Sequence, residues 1–133
     1  MGQKQLILIV LGVIIVGAVI AVSINYLHNK SVKLNRNAVI KDLHTLASDA
    51  QAYYKKPKEQ EGDHNTFQDY KIPEELKSND NGNYRVISVR PDQLIIQGTG
   101  VETREQNLSC NWGIKITYEI IIQPESTELR QVY

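Results

Sequence analysis

LILIVLGVIIVGAVIAVSI, residues 6–24, contains no charge, and Ser23 is its single polar group. As a helix it extends roughly 28 Å at about 1.5 Å per residue, close to the hydrocarbon thickness of a bilayer. The run therefore reads as a transmembrane helix. A secretory signal peptide is the competing reading, because Lys4 supplies a minimal charged start and Ala21, Val22 and Ser23 offer small residues at peptidase spacing. Two features oppose it: the run is longer than a usual signal core of about 7–15 residues, and helical patterning continues past the would-be cut. Met1-Gly2 does not complete a myristoylation motif, since the sixth residue is Leu6. Gly17 and Ala21 make a small-xxx-small face on which another helix could pack closely.

Working outward, the polarity changes at Asn25 without a helix breaker, and no proline occurs before Pro57. Val32, Val39, Leu43, Leu46, Ala50 and Tyr53 draw one apolar stripe at helical spacing, with Lys41, Asp42, Thr45, Ser48, Asp49 and Gln51 on the other faces. Residues 5–55 can thus form one nearly continuous helix of roughly 75 Å, longer than a small domain is wide. Its N-terminal half then has to be buried in lipid or against other copies.

Beyond Pro57 the chain reads as a polar loop, KEQEGDHNTFQDY, and Pro73 suits the first turn of a short helix. Asn81-Gly82 marks a tight turn into strands at residues 84–89 and 94–97, with Pro91-Asp92 between them. Residues 114–123 alternate most clearly: Ile114, Ile116, Tyr118, Ile120 and Ile122 share one face. Residues 129–133 supply a last short strand. The expectation is an α+β fold, with a long N-terminal α-helix, half apolar and transmembrane, half amphipathic, packed against a small antiparallel β-sheet of three or four strands. Three segments follow: an apolar helix with its short leader over 1–24, its amphipathic continuation over 25–56, and a loop and sheet domain over 57–133.

Composition narrows the function. The mean hydropathy of −0.34 averages an extreme N-terminus with a polar remainder. Lys+Arg and Asp+Glu each total 15, and only Lys4 precedes residue 25, so the later part carries 14 basic against 15 acidic residues. Such a balance lacks the basic excess of a nucleic-acid-binding module. A single cysteine, Cys110, excludes an intrachain disulfide and a CxxC pair. His28, His44 and His64 are widely separated, and no GxSxG, P-loop, HExxH or GxGxxG occurs, so no metal, cofactor or catalytic set is expected and the chain does not read as an enzyme. Cys110 and Trp112 read as packing residues, and the acidic excess over 59–80 as a solvated loop. Lys30, Lys33, Arg36 and Lys41 follow the apolar run against Lys4 before it, and by the positive-inside rule they place the C-terminal part on the cytoplasmic side.

The chain resembles the type IV pilins and pilin-like proteins. The resemblance is carried by the MGQKQLILIVLGVIIVG opening, by NRNAVIKDLHTLASDAQAYYKKP at the helix end, and by Tyr70, Ile72, Pro73, Asn79, Asn81, Gly82 and Tyr84. It covers roughly residues 1–100, and the C-terminal third fits only as generic strands. It implies a leader ending at Gly2, with Gln3 as the new, N-methylated terminus. It also implies a bacterial surface filament, a helical homopolymer whose core is built from Leu6, Ile7, Ile9, Val10, Val13, Ile14, Val16, Gly17, Ile20 and Ala21. A prepilin peptidase and pilus assembly machinery would be partners, and the subunit would wait in the cytoplasmic membrane as a single-pass precursor. Lys30, Lys33 and Arg36 are the candidates for an inter-subunit shell facing acids such as Asp42 or Asp49 on neighbours. Three departures stand out: Ile7 occupies the place of the glutamate usual at the fifth position after the cut, Cys110 has no partner for the usual C-terminal disulfide, and the apolar segment has no proline. The alternative is a single-pass, membrane-anchored domain that binds a partner without polymerising. Adhesion, motility, DNA uptake and secretion all remain open as uses of a filament.

Overall fold

An uninterrupted helix-compatible sequence up to Lys56 gives α1 (Gly2–Lys55), which matches the expected 5–55 almost residue for residue. The computed structural model describes residues 2–56, 65–104 and 114–132. Pro57, Gly62, His64, Cys110 and Trp112, and the expectations attached to them, lie outside the described residues.

The chain forms two compact units, Met1–Lys33 and Leu34–Tyr133. In the first, α1 is apolar on every side through residues 6–24. The Ser23 hydroxyl donates to the Val19 carbonyl at 2.8 Å, so the one polar side chain of the run is satisfied within its own helix.

In the second unit, α1 continues with a single buried stripe. Val39, Leu43, Leu46, Ala47 and Ala50 are all at most 2% exposed, while Tyr53, expected on the same stripe, is half-buried, as is Val32 of the first unit. The stripe meets a sheet made of β1 (Ser78–Asn79), β2 (Gly82–Val89), β3 (Leu94–Arg104), β4 (Ile114–Ile122) and β5 (Thr127–Gln131). The strands follow one another in chain order, and every pair is antiparallel, so the sheet is a meander. Its helix-facing side carries Tyr84, Leu94, Ile96, Ile116, Tyr118, Ile120 and Ile122, all buried. The fold is therefore α+β with one helix on one antiparallel sheet, as the alternation of β4 implies.

Several boundaries differ from the sequence reading, each for a physical reason. The sheet has five strands, because Ser78 and Asn79 pair with Asn83 and Gly82 across a two-residue turn. That turn is Asp80-Asn81, neither of which has a positive φ, so Gly82 is not needed for a left-handed turn. Gly82 is needed for space: a Cβ there would lie 2.2 Å from the Thr99 carbonyl oxygen. Strand β3 runs seven residues past its expected end at Gln97. Gly98 and Gly100 look like breakers in the sequence, yet they are where neighbours press closest. A Cβ on Gly98 would sit 2.9 Å from the Tyr84 ring and 3.1 Å from Val39, and one on Gly100 would sit 2.3 Å from the Asn35 Oδ1. At the start of β4, Ile114 is 39% exposed, and the buried alternation begins only at Ile116. The short helix α2 (Glu74–Lys77) forms where Pro73 predicts a helical turn, with Pro73 just ahead of it and the Leu76 amide donating to the Pro73 carbonyl at 2.9 Å.

The connection from α1 to α2 is less polar in its role than in its composition. Phe67 is fully buried, with its ring 4.7 Å from that of Tyr54, and Tyr70 and Ile72 join it in the core. The Tyr70 ring meets Tyr53 edge-on at 5.5 Å.

Candidate functional site

Two surfaces carry the functional argument, and both are built on α1. The first is the apolar run itself. Every large aliphatic side chain from Leu6 to Ile24 is between 48% and 70% exposed. That range includes the expected core residues Leu6, Ile7, Ile9, Val10, Val13, Ile14, Val16 and Ile20, and Gly17 and Ala21 are exposed with them. Helices of water-soluble domains bury one face and solvate the other. Here no face is polar, and water around such a surface is unfavourable. Among the described residues, one helix is long and apolar enough to cross a membrane, α1. Gly2 and Gln3 lie at its exposed N-terminal end.

The second surface is the junction by which the folded unit grips its helix. Asp42 Oδ2 accepts hydrogen bonds from Asn81 Nδ2 at 2.8 Å, Asn79 Nδ2 at 2.9 Å and the Tyr84 hydroxyl at 2.7 Å. The β1–β2 turn is thus pinned to the helix through one carboxylate oxygen. Partial burial works against the charge on Asp42, but the hydrogen bonds from Asn81, Tyr84 and Asn79, with the nearby Lys41 charge, outweigh it and hold this carboxyl below its usual value. Burial, followed by the hydrogen bond to the Asp42 carboxylate and its charge, pushes the Tyr84 phenol above its usual range. Two turns along the helix the arrangement recurs: Tyr70 donates to Asp49 Oδ2 at 2.8 Å, and burial together with that carboxylate raises its pKa in the same direction.

Asn35 closes the lower edge. It is 9% exposed; its Nδ2 donates to the Asn81 carbonyl at 2.7 Å, and its Oδ1 accepts from the Glu102 amide at 3.2 Å. Nothing in the polar stretch around Asn35 sets it apart in the sequence. The signal that could have found it is the pair Gly98 and Gly100, which leaves room in β3 for something on the facing helix.

These contacts bear on the expected inter-subunit shell. Lys30 and Lys33 are exposed. The Arg36 guanidinium lies over the Tyr118 ring, 5.7 Å from its centroid, and so contributes to its own sheet. Asp42 and Asp49, proposed as acids for a neighbour's basic residues, already accept hydrogen bonds within the chain.

On the outer face of the sheet, Arg85, Gln97, Glu119 and Arg130 stand in register across four strands. Arg85 donates twice to Gln97 Oε1, at 2.9 and 2.6 Å, and Gln97 Nε2 donates to Glu119 Oε1 at 2.9 Å. This is a self-satisfied polar ladder rather than a converging set of reactive groups. Among the described residues no cluster of three His, Cys, Asp or Glu side chains could hold a metal ion. Comparison with protein-family models, with curated proteins and with solved structures found no match.

Proposed function

We propose that this chain is a structural subunit of a type IV pilus-like extracellular filament, inserted in the cytoplasmic membrane through its apolar helix and then assembled at the cell surface through the same helix. The observation that carries the reading is the all-round exposure of the aliphatic side chains over residues 6–24 beside a second unit that is already closed on itself. A helix that leaves lipid must bury that surface again, and a bundle of identical helices does so without any further partner. At about 25 cal/mol per Å² and several hundred Å² per copy, the gross driving force is of order 10 kcal/mol before association costs.

Leu6, Ile7, Ile9, Val10, Val13, Ile14, Val16 and Ile20 would form the packed core of the filament, with Gly17 and Ala21 at the closest helix approaches. Lys30, Lys33 and Arg36, all exposed, would form an inter-subunit shell. Gly2 would precede the processing site and Gln3 would follow it. The second reading is a non-polymerising membrane anchor, and Asp42 and Asp49, the acids expected to face that shell, accept hydrogen bonds within their own chain.

The test is mass spectrometry of material sheared from the surface of expressing cells and pelleted as fibres. The filament reading expects this chain as a major component, with an N-terminal peptide that begins at Met1 or Gln3. Recovery of the chain only in detergent-extracted membranes would reject the filament and leave the anchored domain.

A further inference from the structure

The Asp42 junction places a chemically labile pair at a position the fold cannot do without. Asn81-Gly82 is the one Asn-Gly in the chain. An asparagine followed by glycine loses ammonia more readily than any other, because the small successor leaves its backbone nitrogen free to attack the asparagine side chain. The two residues are nevertheless fixed by packing. Gly82 is required because a Cβ would meet the Thr99 carbonyl oxygen at 2.2 Å. Asn81 joins the turn to two other elements, α1 and β3. Its Nδ2 donates to Asp42 on α1, and its carbonyl accepts from Asn35 Nδ2 on α1 at 2.7 Å and from the Val101 amide of β3 at 3.3 Å.

We propose that Asn81 is a modification site, a deamidation position that the native junction holds in check and that, once converted, releases the junction. In the reaction the Gly82 nitrogen bonds to Asn81 Cγ, the Cγ–Nδ2 bond breaks, and ammonia leaves with the proton from the Gly82 nitrogen. The resulting succinimide is opened by water at one carbonyl or the other to give aspartate or isoaspartate. In the folded chain both reacting groups are occupied: the Gly82 N–H donates to Asn79 Oδ1 at 3.1 Å, and the Asn81 amide is held 2.8 Å from Asp42. Attack therefore waits for the β1–β2 turn to open locally.

Either product breaks the arrangement. Aspartate turns a donor into a second carboxylate at hydrogen-bond distance from Asp42, where like charges repel. Isoaspartate also routes the backbone through the former side chain, which lengthens it by a methylene and leaves the carbonyl that Asn35 and Val101 share as part of a free carboxylate. Damage at this one residue thus loosens the grip of the sheet on its helix, whatever that helix assembles with.

The experiment incubates the full-length protein in detergent at mildly alkaline pH, alongside the same protein unfolded in guanidinium, and follows the conversion of Asn81 by peptide mass spectrometry. The expected result is conversion about tenfold or more slower in the folded chain, with Asp42→Ala moving the folded rate towards the unfolded one. Equal rates in the folded and unfolded wild-type chain would overturn the gating, and so would an Asn81 that stays intact in guanidinium. A second arm compares Asn81→Asp with Asn81→Ser in the same detergent. A lower midpoint for the aspartate variant supports release of the junction, and equal midpoints contradict it. Neither arm depends on filament formation.

Discussion

Residues 6–24 and residues 34–55 belong to one helix, yet they solve the problem of burial in opposite ways. The first stretch is apolar on all sides and has every large side chain exposed. The second confines its buried residues to one stripe and shuts it against a sheet at 0–2% exposure. Secondary structure is the same in both, so helix formation by itself says nothing about what a segment does. The distribution of apolar residues around the axis decides it. A stripe finds its partner within the chain, whereas a fully apolar cylinder has no polar face to turn to water.

The comparison is broken most severely by placing a charge in the cylinder. Val13→Asp should abolish any filament and weaken membrane retention, because an acidic residue near the centre of a span costs about 3 kcal/mol on insertion scales. Its folded unit should keep the protease resistance of the wild-type chain. Cell fractionation with limited proteolysis reads both halves, and loss of resistance would show that the regions do not act separately. Leu43→Ala makes the reciprocal cut. It opens a cavity under the sheet and should lower unfolding stability by about 2–5 kcal/mol while leaving membrane association intact.

Gly100→Ala sharpens the account of the junction. Its Cβ would lie 2.3 Å from Asn35 Oδ1, so Asn35 must move, and the cost should be about 1–3 kcal/mol in chemical denaturation. An unchanged midpoint would mean that β3 yields without disturbing Asn35.

The smallest effect belongs to Asp42→Asn, which should cost about 1 kcal/mol at neutral pH, since the carboxylate is only partly withdrawn from solvent. Its pH dependence is more informative. The folded-state pKa of Asp42 is depressed, so its contribution is present above the unfolded value near 4 and is lost as pH falls through the folded value. Tyr70 and Tyr84 have raised pKa values, so their contributions hold below about 10 and are lost as pH rises past it. Denaturation midpoints followed across pH should therefore drop at both ends, and Asp42→Asn should flatten the acid limb.

How much of this was legible in the sequence follows the same divide. The apolar run, the stripe through Leu43, Leu46 and Ala50, and the alternation of β4 are periodic signals, and each could be read directly. What escaped reading was not periodic. Phe67 is a lone aromatic in a polar stretch, and its burial against Tyr54 depends on how the chain returns to the helix end. Asn35 looks like part of a polar linker because the carbonyl and amide that satisfy it come from residues 46 and 67 positions away. In the sequence β3 reads as ending at Gln97 because Gly98 and Gly100 weaken a local strand pattern, whereas the space they leave is used by residues of other elements. The hydrogen bonds to Asp42 are illegible for the same reason: its donors arrive from a turn whose position only the tertiary fold defines.

The central claim is that residues 6–24 are buried against other copies of the same chain. A photo-crosslinking residue at Val13, activated on intact expressing cells, tests it most directly. The account predicts a ladder of self-crosslinked multimers extending well past the dimer. Monomers carrying only lipid adducts would contradict it.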